Sequence, residues 1–242
     1  MGKINNLLSF CFYICLNPGL IALLLKGVYI PTFVQYRWLK KFKIRTVVDV
    51  GALDGKTSNA LSNLFPDAKI YAFEPLAIES LNRLPANVRV EHMALSDRED
   101  QLTFYKYKKN QFSSLLPLSR KFYKNFFSEK VEKIIVDTTT LDKYFSDLKL
   151  IKPVFLKIDT QGSEGLILKG GKRFLKDLSI VHIETSFVSI YKDQALFKNI
   201  YNLLTSEGFE YIGNIPDANF YQLFSPQLQQ NSIFVKKGFV FV

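Results

Sequence analysis

Two short runs hold the side chains best suited to chemistry. The first is Asp49-Val50-Gly51-Ala52-Leu53-Asp54-Gly55, placed directly after the apolar run 46–50 and before a helical stretch over 57–65. Glycines at a strand-to-helix crossing permit a tight turn and a close backbone approach to a ligand. Glu74 follows nineteen residues after Gly55, at the end of the next apolar run. An acid at that place can accept hydrogen bonds from both hydroxyls of a ribose. A dinucleotide fingerprint would read G-x-G-x-x-G and offer a helix N-terminus to pyrophosphate. This chain reads D-x-G-x-x-x-G, with a carboxylate where the first glycine would stand. That carboxylate repels pyrophosphate and suits the positive sulfonium and ammonium groups of S-adenosylmethionine. Methyl transfer is therefore expected ahead of hydride transfer, with Asp49, Gly51, Ala52, Asp54, Gly55 and Glu74 as the cofactor-binding set.

The second run is LKIDTQGSEGLILKGG over 156–171, another strand-to-helix crossing. Asp159 ends the strand and should face the crevice at the switch point of the sheet, where it would serve both cofactor and acceptor. Glu164 falls at the start of the following helix, where the dipole also favours an acid without any catalytic duty. His182 and Glu184, two apart in VHIET, share one face of a strand. An imidazole is a natural base for a hydroxyl proton, although a strand histidine also serves as a satisfied structural residue. Asp159, Glu164, His182 and Glu184 form the catalytic candidates. These four could also form a divalent-metal site, although nothing in their spacing demands one and no metal ligand is assigned. The run after Asp159 lacks the proline-aromatic pair that stacks a flipped base, so an oxygen acceptor is expected over a base amine.

The elements that must position these side chains alternate. Apolar or β-branched runs at 46–50, 69–75, 88–95, 154–159, 180–185, 210–213 and 232–237 read as strands, and 102–107 as an added antiparallel one. Helical patterns fall at 57–65, 165–177 and 196–209. Strand and helix in this order predict one α/β domain over 45–242, a mostly parallel sheet with helices on both faces. Residues 105–133 break the alternation. They are rich in Phe, Tyr, Lys and Arg, suggest a helix at 119–130, and enter near the carboxyl edge of the sheet, as a lid or recognition loop would.

Charge is distributed unevenly over the 242 residues, whose formal net is +10. Residues 1–46 carry seven basic residues and no acid, and residues 105–133 carry eight basic and two acidic. Residues 47–104, which hold the glycine turn and Glu74, carry nine acidic and five basic. Nucleic acid is thus disfavoured as a partner. Residues 7–25 are uncharged and apolar but are interrupted by Asn17-Pro18-Gly19, so neither half is long enough to span a bilayer. No small-residue cleavage site follows, which weakens a signal-peptide reading. With the basic collar from Arg37 to Arg45, residues 1–44 read as an apolar helical extension associated with an anionic membrane surface, or else as a helical pair packed on the domain. Cys11 and Cys15, one helical turn apart, read as small hydrophobes.

VVDVGALDG, AFEP, MALSD, TTTLD (138–142), LKIDTQGSEGLILKGG and IVHIE follow one another in a way that resembles the FkbM family of S-adenosylmethionine-dependent methyltransferases, over roughly residues 45–237. The resemblance implies the class I methyltransferase fold with a seven-stranded sheet and O-methylation, often of a sugar hydroxyl. By that match Asp49, Gly51, Gly55 and Glu74 would bind the cofactor, Ala94, Leu95 and Ser96 would lie by the adenine, and Asp159 by the methionine moiety and acceptor. The family often has Glu where Gln161 stands. The expected function is a cytoplasmic sugar O-methyltransferase, peripheral on the cytoplasmic membrane face, acting on a glycan or lipid-linked saccharide. An RNA or protein methyltransferase is the alternative suggested by the basic 105–133 segment, and a non-catalytic membrane-attached binding module is a third.

Overall fold

The computed structural model describes residues 17–120, 122, 131–215 and 228–239. Its strands are β1 (Thr46–Val50), β2 (Lys69–Phe73), β3 (Val88–Glu91), β4 (Ala94–Leu95), β5 (Asp100–Lys106), β6 (Glu132–Thr139), β7 (Val154–Ile158), β8 (Ile180–Ser186), β9 (Phe209–Ile215) and β10 (Gln229–Lys236). Seven of them form one sheet in the order β3-β2-β1-β7-β8-β10-β9. Neighbours from β3 through β8 pair in parallel, and β10 lies antiparallel to both β8 and β9. This is the α/β class I methyltransferase arrangement. The order reverses between β1 and β7, so the crevice outside their carboxyl ends is where a ligand should bind.

Alternation along the strands sorts the core into two layers. Val47, Ile70, Phe155, Ile180 and Ile233 pack against α1 (Gly19–Leu25), α2 (Ile30–Tyr36), the 3₁₀ turn Arg37–Phe42 and α3 (Lys56–Leu64). Val48, Phe73, Leu156, Ile158, Val181 and Phe234 pack against α4 (Leu141–Tyr144), α5 (Glu164–Lys169) and α6 (Phe197–Ser206). Each large side chain so buried stabilises the fold by about 1.5–3 kcal/mol relative to exposure. Residues 17–44 therefore supply part of one face of the core. Among the described residues no helix is long and apolar enough to cross a membrane.

The sequence expectations need three corrections. The strand expected over 88–95 ends at Glu91, and Ala94 and Leu95 cross to a second sheet, where β4 pairs with β6 and β6 with β5. β6 was not expected; its Glu132, Lys133, Ile135 and Asp137 are exposed, so its apolar signal is diluted. The helix expected over 165–177 stops at Lys169 and resumes as a short 3₁₀ turn at Phe174–Lys176. The break falls at Gly170, where a Cβ would stand 2.2 Å from the Ser96 carbonyl oxygen, so only glycine lets the two loops meet. The apolar residues 7–16 with Cys11 and Cys15, and nearly all of the helix expected at 119–130, lie outside the described residues.

Candidate active site

A cleft lies over the carboxyl ends of β1, β2 and β7. Its floor is the turn after β1. Gly51 has φ +76°, and a Cβ there would stand 2.1 Å from the Asp159 carbonyl oxygen. Gly51 and Ala52 donate backbone hydrogen bonds to the Phe73 carbonyl, which joins the turn to β2. Glu74, just past β2, is buried in the cleft wall. Its two oxygens accept from the backbone N–H groups of Leu53 at 2.9 Å and Leu76 at 3.0 Å. Burial pushes its pKa up, and those two hydrogen bonds oppose the rise. Each carboxylate oxygen keeps a further lone pair for a diol.

Beside this polar edge the wall becomes apolar. Phe73, Met93, Leu95, Phe104 and Leu115 line it, with Ala94 and Pro75 among them. The described part of the basic segment contributes Asn110, Gln111 and Ser113 to the wall, and α2 contributes Thr32.

Asp49 itself does not line the cleft. It is fully buried, accepts from the Ser58 hydroxyl at 2.6 Å, and lies 3.2 Å from the Lys157 ammonium. Lys157 lines the cleft in its place and donates to the Gly51 carbonyl at 2.9 Å. Burial would lower the Lys157 pKa, but the Asp49 and Asp159 carboxylates outweigh it and hold the amine above the usual lysine range. Sequence reasoning missed this residue. The available signal was a lone lysine within an otherwise apolar strand, since a buried lysine must find a partner.

Asp159 follows β7 and points into the cleft, 38% of its side chain exposed, with the Lys157 ammonium 3.9 Å away. Gln161 ties it to β8. The Gln161 amide donates to Asp159 at 3.0 Å and to Glu184 at 3.1 Å, and Gln229 donates to the same Glu184 oxygen at 2.8 Å. The Gln161 carbonyl oxygen and the Phe112 backbone carbonyl both lie within reach of the Tyr191 hydroxyl, at 3.1 Å and 3.0 Å. The single Tyr191 proton serves one of them at a time.

Apart from Asp54 at its rim, the remaining candidates stand outside the cleft lining. Glu164 is buried and accepts from the Thr160 and Gly162 N–H groups and the Thr160 hydroxyl, so it closes its own loop. Burial raises its pKa to about 7 against those hydrogen bonds. His182 is buried beneath Tyr36, whose hydroxyl lies 2.8 Å from its Nδ1. Burial, then the charge of Lys157, lowers the His182 pKa to about 4, and burial raises the Tyr36 pKa, so a protonated phenol meets a neutral ring. Ser96 is buried behind β4, where its N–H donates to Thr139. Gly55 caps α3, and the Asp54 carboxylate at the cleft rim pairs with Lys56 at 2.5 Å. Asp159, Glu164, His182 and Glu184 thus do not converge on one point. Among the described residues no group of three His, Cys, Asp or Glu side chains could hold a metal ion.

The turn, the buried acid past β2 and the carboxylate past β7 together make a cleft with one acidic edge suited to a diol, one apolar slot and one partly exposed carboxylate. The Methyltransferase FkbM domain matches residues 49–211. The chain belongs to the FkbM methyltransferase family. It is similar to the 2-O-methyltransferase NoeI of Sinorhizobium fredii (strain NBRC 101917 / NGR234), 27% identical over 183 residues that cover 70% of this chain and 74% of that protein. Among solved structures it is similar to the FkbM methyltransferase of Methylobacillus flagellatus KT, with a TM-score of 0.48 and 14% identity, covering 80% of this chain and 44% of that one. It is also similar to the 1,6-didemethyltoxoflavin-N1-methyltransferase of Burkholderia thailandensis, solved with S-adenosylhomocysteine, at a TM-score of 0.44 and 9% identity, covering 85% and 76% of the two chains. As an FkbM methyltransferase the chain is an enzyme, and its family implies S-adenosylmethionine as methyl donor. The residues present fit that donor: Glu74 suits the ribose, the Phe73–Met93–Leu95–Phe104 slot suits an adenine, and the Gly51 turn lets backbone meet the amino-acid end.

Proposed function

We propose that this FkbM methyltransferase methylates a hydroxyl oxygen of a sugar, with Asp159 taking the proton. Bound S-adenosylmethionine supplies an electrophilic methyl group. Glu74 holds the ribose hydroxyls, the apolar slot excludes water from the base, and Lys157 keeps the Gly51 carbonyl oriented. Asp159, half exposed at the end of the cleft, accepts the acceptor's hydroxyl proton as the oxygen attacks. The observation that carries this reading is the placement of Asp159 in the lining, while His182 lies buried beneath Tyr36 and Glu164 is buried and closes its own loop. An oxygen acceptor is further supported by the relative NoeI, itself a 2-O-methyltransferase. The reading extends to a saccharide carried on lipid at the cytoplasmic face of a membrane, supported by the seven basic residues of 1–46, a stretch without an acid.

The test is mass spectrometry of cell glycans with and without this enzyme. Loss of one methyl group from a glycan in cells lacking the enzyme is expected. Unchanged glycans, together with a methyl mark missing from RNA or protein, would replace the sugar reading.

A further inference from the structure

We propose that α1 and the turn after it form a rigid docking ridge for an anionic bilayer surface, set so that the cleft mouth opens toward the lipid. The helix is uncharged, GLIALLL, and turns most of that apolar surface outward. Ile21 is 47% exposed, Leu24 40%, Leu25 85% and Tyr29, four residues on, 48%, whereas in α1 only Leu20 is buried. A contiguous exposed apolar ridge of this kind is unusual on a soluble surface and marks an interaction site.

Two observations select a bilayer as its occupant. The first is charge. Lys26 follows α1 directly, Lys56, paired with Asp54, lies over the Tyr29 ring at 5.2 Å, and residues 17–45 carry Lys26, Arg37, Lys40, Lys41, Lys43 and Arg45 without one acid. Exposed apolar side chains in a segment whose charges are all basic suit anionic headgroups, each cation near the surface adding to the attraction. The second is continuity with a further uncharged sequence, LLSFCFYICL over 7–16, immediately before it.

The ridge is fixed to the catalytic domain. α1 ends in a Schellman motif, in which the Gly27 N–H bonds to the Leu24 carbonyl at 2.9 Å and the Val28 N–H to the Leu23 carbonyl at 3.0 Å, with Val28 buried. The Gly27 carbonyl then accepts from the Asn59 side chain on α3 at 3.1 Å. On α2, Thr32 stands in the cleft wall, and Lys56, over the Tyr29 ring, lines the same cleft. Docking the ridge therefore orients the mouth. It selects a sugar close to the headgroup of a lipid-linked saccharide over a free glycan in solution. This consequence rests on the sugar reading above; the docking itself does not.

Vesicle flotation of the full-length protein tests it. Wild type should float with phosphatidylcholine vesicles containing phosphatidylglycerol and much less with phosphatidylcholine alone. The double variant Leu24→Glu/Leu25→Glu should lose binding by roughly a hundredfold or more, because two leucine contacts are replaced by repelled carboxylates. Its S-adenosylmethionine affinity, measured by calorimetry in solution, should be unchanged, and Ile135→Glu, an exposed apolar site on β6, should float like wild type. A double variant that floats as well as wild type overturns the proposal. So does a double variant whose only change is dissociation of a dimer by light scattering, because the ridge would then meet a second copy. Loss of flotation by the double variant with its cell glycans still methylated would leave the docking standing and refute the lipid-linked preference, whereas glycans without the methyl group even in wild-type cells would refute the sugar reading alone.

Discussion

The Lys157 ammonium lies 3.2 Å from the Asp49 carboxylate and stands between it and the cleft. The two residues are register partners on adjacent parallel strands, so the pairing is built into the sheet. A buried carboxylate that loses its cation costs far more than an exposed pair would. Lys157→Met should therefore destabilise the protein by about 3–5 kcal/mol in denaturant unfolding and abolish S-adenosylmethionine binding. Lys157→Met/Asp49→Asn should recover much of the stability. A double variant no more stable than Lys157→Met would show the pair to be uncoupled.

Gln161 separates two carboxylates by donating to both. Gln161→Glu would crowd three acids into that space, and proton sharing would follow. The acid limb of the pH–rate profile should move up by about one unit, with S-adenosylmethionine affinity unchanged. A profile superimposable on wild type would remove Gln161 from any role in positioning Asp159.

The Tyr191 hydroxyl can donate to either the Phe112 carbonyl or the Gln161 side-chain carbonyl. Tyr191→Phe keeps the ring and deletes that link, which should cost roughly 1 kcal/mol of stability. Because the link reaches Asp159 through Gln161, kcat should fall more than the KM for S-adenosylmethionine rises. Steady-state kinetics of the variant would separate the two.

Two buried groups give opposed pH dependences. Glu164 has its pKa raised to about 7 in the fold, so its contribution to stability is present below the unfolded value near 4.5 and is lost as pH rises through about 7. His182 has its pKa lowered to about 4, so its contribution is present above the unfolded value near 6.5 and is lost as pH falls through about 4. Relative to wild type, Glu164→Gln should gain stability between pH 4.5 and 7, since the amide oxygen still accepts the loop hydrogen bonds. Urea unfolding at several pH values checks this, and a constant difference across that window would contradict it.

The glycine turn, Glu74 and Asp159 were legible in sequence because each ends an apolar run, and chain direction alone places strand ends on one edge of a parallel sheet. Lys157 was not, because one charge inside VFLKI hardly disturbs an apolar pattern. The position of His182 was also hidden. Sequence spacing aligned it with Glu184 on one strand face, but the cover over that face is Tyr36, 146 residues away. Likewise Gly170 is an ordinary helix-tolerated glycine until Ser96 is brought against it. Pattern reads elements well and reads poorly which layer closes over them.

The central claim is that Asp159 takes the proton of a sugar hydroxyl in a cleft that binds S-adenosylmethionine without needing that carboxylate. The direct measurement is transfer of labelled methyl from S-adenosylmethionine to glycans extracted from cells lacking the enzyme, by wild type and Asp159→Asn, alongside calorimetric binding of the donor to both. Equal donor binding with transfer reduced by about 10²–10⁴-fold in the variant is the predicted result. Near-wild-type transfer by Asp159→Asn would contradict the account.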